Sequence, residues 1–320
     1  RRVSQTADEV LCLRPDALVT IDSPEFSLRV AGRVKARAPG LRTIHYVAPT
    51  VWAWRPKRAV KMARAVDHVL ALLPFEPPYM EAAGMTCDFV GHPVTSEPVA
   101  SAEEAAAFRA RHGIAPDAPL VLVLPGSRRS EVDRLAPTFG AALKDVVAAH
   151  AGARLVLPTT ENVAGHLDTL LKDWPAEPLI LDPRGRDGDG FLAEKRAAFA
   201  AADVALAASG TVSLELAAAA TPMVVAYDMS WFSRKVIGSM LLVDTVTLVN
   251  LVSETRAVPE FLGPACRPGP IGEAVKTLIA DDSARAEQLE AMERTMRLLG
   301  RGGEAPGLRA ARSVLGAIRG

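Results

Sequence analysis

Three stretches of the chain bring together residue types that do chemistry. Asp22 follows the apolar run Ala17-Leu18-Val19-Thr20-Ile21 and precedes Ser23-Pro24. A carboxylate at the end of a buried strand is placed to act as a base or to anchor a ligand. The alternative is that Asp22 or Ser23 only caps a helix over 26–37. The run 120–124, all Leu and Val, stops at Pro125-Gly126-Ser127-Arg128-Arg129. Backbone N–H groups opening a helix, with Arg128 or Arg129 beside them, suit an anion, and phosphate is the obvious one. The loop is neither a P-loop nor GxGxxG, so an ordinary strand-turn-helix with a surface arginine pair is its alternative. In the third stretch a small-residue strand meets Ser209-Gly210-Thr211, with Glu215 one turn into the next helix. Gly210 lets a ligand approach the backbone, free N–H groups suit phosphate oxygens, and the two Glu215 oxygens suit two ribose hydroxyls. Its alternative is a capping motif with Glu215 as a first-turn acid.

Further residues could serve an acceptor. His45-Tyr46 ends a strand, and the loop Ala48-Pro49-Thr50-Val51-Trp52-Ala53-Trp54-Arg55-Pro56 follows. It holds two of the four tryptophans between prolines. With Tyr46 they offer flat faces for a sugar or an acyl chain, or simply pack the loop under a sheet edge. Lys57, Arg58, Lys61 and Arg64 fall near one helix face, which suits phosphate, an anionic membrane surface or plain solvent. Asn250 lies among apolar neighbours and must be satisfied by backbone or by substrate. Asp187-x-Asp189 sits among glycines and reads as a turn, and the six histidines lack ligand spacing, so no metal is expected.

The elements that position these residues read as α/β. Helix 3–13, strand 17–21, helix 26–37 and strands 43–47, 66–73 and 87–90 form a first set, with a short helix at 79–83. Composition turns loop-like at 94–103, and a helix over 103–112 leads on. Strands 120–124, 153–157, 178–181, 203–207 and 222–226 form a second set. Helices are expected near 131–149, 161–172, 191–201, 211–219, 231–242 and 272–280, and another starting within 258–262. The tail 283–318 reads as helix apart from 300–303. Strands alternating with helices give the doubly wound rhythm. The predicted domains are 1–95, 96–282 and a helical 283–320 that packs back on the first.

Bulk properties exclude several classes. A chain of 320 residues favours two domains, and 49% apolar with 23% charged residues is ordinary for a globular protein. Lys+Arg and Asp+Glu both number 37, so no net field attracts nucleic acid. Cys12, Cys87 and Cys266 form no disulfide framework, which points to a reducing compartment. No stretch approaches about 18 uninterrupted apolar residues, which argues against a spanning helix. Two βα domains facing across a cleft, one with phosphate-type loops and one with Asp22, suit group transfer from a nucleotide-bearing donor. Hydride transfer would need a dinucleotide fingerprint, and none is present.

At this point the residues resemble a known family. Ile21-Asp22-Ser23-Pro24-Glu25-Phe26, His45-Tyr46-Val47-Ala48-Pro49-Thr50-Val51-Trp52-Ala53-Trp54-Arg55, Leu73-Pro74-Phe75-Glu76, Phe89-Val90-Gly91-His92-Pro93, Leu124-Pro125-Gly126-Ser127-Arg128 and Ala208-Ser209-Gly210-Thr211 are similar to lipid-A-disaccharide synthase. The resemblance implies a bacterial inverting glycosyltransferase of the GT-B type, without a cofactor. It would join UDP-2,3-diacylglucosamine to 2,3-diacylglucosamine 1-phosphate (lipid X), giving a β-1,6-linked disaccharide and UDP. It implies a cytoplasmic protein held peripherally at the inner membrane, with a homodimer among its assembly states. Carried over by position, Asp22 matches the presumed catalytic aspartate. Gly126, Ser127, Arg128, Ser209, Gly210, Thr211, Glu215 and Asn250 match the UDP-sugar side. His45, Tyr46, Trp52, Trp54 and Arg55 fall on the acceptor or membrane side. Val249 stands where the family has proline and Asp228 where it often has arginine, a loss that Arg129 or Arg234 would have to offset. The family's opening strand, its glycine-rich Ala-Gly-Glu-x-Ser-Gly-Asp loop and an apolar segment are expected to precede residue 1. The alternatives are another UDP-sugar GT-B enzyme, or a UDP-sugar-binding module that turns nothing over.

Overall fold

The computed structural model describes residues 1–228 and 243–319; the helix expected at 231–242 lies outside them. The chain divides between Ser96 and Glu97 and again at Arg297, so that the segment following Met296 counts with the first unit.

In the first unit, β1 (Ala17–Ile21), β2 (Arg42–Tyr46), β3 (His68–Ala71) and β4 (Thr86–Phe89) form a parallel sheet in that order. All four β3 residues are buried, as a parallel strand covered on both faces requires. The pleat sends its side chains to two different cores. Val69 and Ala71 pack with Val51, Met62 and Met80. Leu70 packs with Ile44 and Val90 against Ala310, Val314 and Ala317 of the helix Pro306–Arg319. That helix is fastened as well as packed. Ser313 Oγ lies 2.7 Å from His68 Nε2 and donates to Asp88 at 2.6 Å, and Arg309 donates to the Phe89 carbonyl.

The second unit has β5 (Leu120–Leu124), β6 (Arg154–Pro158), β7 (Leu179–Leu181), β8 (Val204–Ala207), β9 (Met223–Tyr227) and β10 (Glu260–Leu262). All pair in parallel, in the order β10-β9-β8-β5-β6-β7. The chain enters at the centre, builds to one side through β7, then crosses back and builds to the other from β8. Direction therefore reverses between β5 and β8, and in an open α/β sheet ligands bind outside the carboxyl ends of the strands at that point. Register there runs from Val121 opposite Val204 to Leu124 opposite Ala207, so both following loops leave the sheet at the same height. The helix Arg129–Ala149 buries Val132, Leu135, Ala136, Phe139, Leu143 and Val146, an apolar stripe at helical spacing. It meets the helix Pro268–Ala280 at Gly272, where an added Cβ would lie 2.5 Å from the Ala142 carbonyl oxygen.

Three expectations need correction. The segment 258–262 does not begin a helix. Pro259 disfavours helix in the residue before it, and Glu260–Leu262 instead pairs with the free edge of β9. The helix expected at 161–172 is two short turns, Glu161–Ala164 and Leu167–Leu170, parted at Gly165-His166. The tail does not leave the second unit at 283. Gln288 in the helix Asp282–Leu298 exchanges two hydrogen bonds with the Met223 backbone, at 2.9 and 3.1 Å, which ties that helix to β9.

Candidate active site

The loops after β5 and β8 line one cavity of about 520 Å³ in the second unit. Gly126, Ser127, Arg128, Ser209, Gly210, Thr211 and Glu215, from two stretches far apart in sequence, all face it. Gly126 has φ +119°, and a Cβ there would lie 2.8 Å from the Glu131 side chain, so only glycine fits. Glu131 organises the turn. It accepts from the Arg128 guanidinium at 2.8 Å and from the Arg128 backbone N–H at 3.4 Å. Thr160 donates to the Ser127 carbonyl at 3.3 Å and ties the β5 and β6 loops together. Glu215 is held by Lys195, whose Nζ donates at 2.6 Å and sits over the Phe199 ring. The wall therefore carries a guanidinium, an ammonium, two carboxylates, hydroxyls and two phenylalanines, the set that a phosphorylated nucleoside calls for.

Sequence reasoning missed Glu131, Lys195, Thr159, Thr160 and Phe191, all of which line this cavity. Asn250 does not. It is fully buried, donates to the Val258 carbonyl at 2.9 Å and accepts from the Val258 N–H at 3.0 Å, so the protein backbone uses it as a strand partner would. Asp228, at the end of β9, is met by Arg134 at 3.8 Å, a cation not weighed from the sequence; Arg234 lies outside the described residues. Asp187 accepts from the Gly190 N–H at 2.9 Å and caps the helix Gly188–Ala201, which accounts for the Asp187-x-Asp189 motif.

In the first unit Asp22 stands at the carboxyl end of β1. Neither Asp22 nor Ser23 makes a capping side-chain bond to the helix Pro24–Arg37. Both instead have left-handed backbones, φ 45° and 46°, costly for residues that are not glycine. The turn is held by other groups: the Asp22 N–H donates to the Tyr46 carbonyl at 3.0 Å, and Ser27 Oγ donates to the Asp22 carbonyl at 2.7 Å. The carboxylate itself is exposed and has no hydrogen bond or ion pair with a described residue. Below it His45 is buried, with Nδ1 2.8 Å from Thr20 Oγ1. Burial holds the imidazole below its ordinary range, with the Asp22 charge acting the other way.

The tryptophan loop divides by role. Trp52 is buried, edge-on to Phe75, and donates to Glu76 at 3.2 Å. Glu76 also accepts from the N–H groups of Leu72 and Leu73 at 3.1 and 2.9 Å. Burial nevertheless pushes its carboxyl up to about 7. Trp54 is only partly covered, and the Arg55 guanidinium stacks 4.4 Å from its ring. Val47 and Arg55, at φ 82° and 52°, add two more left-handed residues to this loop. Among the described residues no group of three or more His, Cys, Asp or Glu could hold a metal ion.

The lipid-A-disaccharide synthetase family model matches residues 1–306. The chain belongs to the lipid-A-disaccharide synthase family. The synthase of Ruegeria pomeroyi is 58% identical over 320 residues, which span this whole chain and 79% of that protein. The synthase of Rhodospirillum centenum is 46% identical over 99% of this chain and 77% of its own length. The fold is also that of more distant structures. A UDP-GlcNAc 2-epimerase from Neisseria meningitidis bound to UDP-GlcNAc superposes with a TM-score of 0.65 at 13% identity, covering 98% of this chain and 80% of that one. A trehalose-6-phosphate protein of E. coli bound with UDP-2-fluoro glucose gives 0.61 at 10% identity, covering 100% and 77%. For a lipid-A-disaccharide synthase these two parallel-sheet units are the GT-B architecture, with the first unit the smaller in strand number.

Proposed function

We propose that the chain works as an inverting hexosyltransferase of lipid A biosynthesis, with Asp22 as its base. It condenses UDP-2,3-diacylglucosamine with 2,3-diacylglucosamine 1-phosphate. The observation that carries the role of Asp22 is its carboxylate, bare and exposed on a strained turn at the end of a parallel strand. Asp22 takes the proton of the acceptor 6-hydroxyl as that oxygen attacks C1 of the donor sugar. The bond from C1 to the diphosphate breaks on the opposite face, which inverts the centre and gives the β-1,6 linkage. The diphosphate leaves with the electron pair, opposite the Arg128 guanidinium and the N–H groups of the two glycine loops. Glu215, oriented by Lys195, receives the ribose hydroxyls. Asn250 contributes by fixing the turn that follows, since its own polar atoms are used.

The test is disaccharide formation from the two lipid substrates, with the chain as it stands and with it extended to its relatives' length, each beside Asp22→Ala. Product that disappears with Asp22→Ala while UDP still binds supports the reading. UDP binding without product from either length leaves a binding module. We extend the proposal to a peripheral position at the cytoplasmic face of the inner membrane and to a homodimer. No helix of the described residues is long and apolar enough to cross a membrane. Flotation with anionic vesicles tests the first extension and light scattering the second.

A further inference from the structure

A second cavity of about 520 Å³ in the first unit is lined by Arg55, Pro56, Lys57, Arg58 and Lys61, four basic residues whose hydrocarbon stems make most of its wall, with no carboxylate among them. Pro56 also lines an adjoining apolar groove of about 320 Å³, whose walls include Val51, Val60, Tyr79, Ala82 and Ala83. Val60 and Tyr79 are 56% and 44% exposed, so the groove is open to solvent beside these basic residues. Lys57 and Lys61 have no ion pair with a described residue. Arg58 reaches Glu25 at 3.5 Å, in the first turn after Asp22, which puts the cationic cavity beside the strained turn. Arg55, left-handed at φ 52°, lines the same cavity and stacks its guanidinium on Trp54.

We infer that this pair of cavities is the acceptor site: the cations hold the 1-phosphate of the acceptor lipid, and the groove holds part of an acyl chain. The inference rests on the transferase reading and adds which groups select the acceptor. An anionic head joined to a hydrocarbon tail is the ligand chemistry that two lysines without an ion pair to a described residue and an apolar groove sharing a wall fit together. Soluble nucleotide would leave the groove empty. The donor has its own guanidinium and ammonium in the other unit. Lys57 and Lys61 also set a preference, because an acceptor without the phosphate would leave them without a counter-charge.

The test uses Lys57→Gln with Lys61→Gln, and separately Val60→Glu, in the length of protein that makes disaccharide. Both sites are exposed, and UDP affinity and melting temperature check the fold. Initial rates are taken in neutral detergent micelles with lipid X, with its α-methyl glycoside lacking phosphate, and with varied donor. The lysine pair is expected to raise KM for lipid X about tenfold, leave KM for the donor within about twofold and leave the phosphate-free acceptor equally poor. Binding of lipid X, read by tryptophan fluorescence, should weaken by the same factor. Val60→Glu should raise KM for lipid X as well. An unchanged KM, or a loss shared by the phosphate-free acceptor, overturns the inference. So does a loss confined to anionic vesicles, which would make the cations a membrane contact. Absence of product from the unsubstituted protein defeats the transferase reading itself, and the inference falls with it.

Discussion

Asp22 and Ser23 hold, on a strained turn, an exposed carboxylate with no hydrogen bond or ion pair to a described residue, and that arrangement defines what substitution should do. Asp22→Ala is expected to lower kcat about a thousandfold, in the range for loss of a general base, with UDP affinity unchanged by calorimetry. Ser23→Gly should relieve strain without loss of activity, raising stability by up to about 1 kcal/mol in urea titration. Glu76 makes a different prediction. Its carboxyl titrates near 7 in the folded chain against an ordinary 4.5, because burial outweighs three hydrogen bonds. Between those values the folded chain binds the extra proton, so stability falls as pH rises, by about 3 kcal/mol at most once pH 7 is passed. Urea midpoints should therefore drop between about pH 5 and pH 7.5, and Glu76→Gln should flatten the slope. A midpoint that rises over that interval would contradict the assignment. Asp22, Gly126, Ser127, Arg128 and Ser209-Gly210-Thr211 were legible in the sequence because strand-end turns use small and polar residues in recognisable order. The roles of Glu76, though it closes the Leu73-Pro74-Phe75-Glu76 motif, and of Lys195 were not. Their partners, Trp52 and Glu215, lie 24 and 20 residues away, and each looks like an ordinary helix or loop residue until the fold joins them.

At the scale of elements, the cavity of the second unit depends on helices that leave no space between them. Gly272 lies against the Ala142 backbone, and Gly140 against the Trp174 indole, where a Cβ would stand 2.5 Å from the nearest ring atom. Neither glycine has a positive φ among those recorded, so closeness and not conformation demands them. Gly272→Ala must part the helices Arg129–Ala149 and Pro268–Ala280, and is expected to cost about 1–3 kcal/mol, read from a urea titration. Because the first of those helices begins at the Arg128 turn, UDP affinity should fall together with stability. The strands of both units were legible as apolar runs, yet β10 was not. Three residues carry no period, and only the open edge of β9 makes them a strand.

At the scale of the molecule, the first unit is discontinuous. Its sheet comes from residues before Ser96, and the helix that covers one face lies beyond the whole second unit. A chain ending at Ala305 should expose Ile44, Leu70 and Val90, lose the Ser313 and Arg309 fastenings, and become protease-sensitive in the first unit. UDP binding by the second unit should survive that truncation, as calorimetry with limited proteolysis would check. Loss of UDP binding would mean that the two units fold as one.

The helix Pro306–Arg319 also fixes an order of events in the cell. A ribosome releases the second unit in full before it releases that helix, so the second unit can mature while the sheet of the first still waits for its cover. During that interval the nascent chain presents an apolar sheet face to chaperones, and a premature stop late in the message would free a folded second unit beside a first unit that never gains its cover.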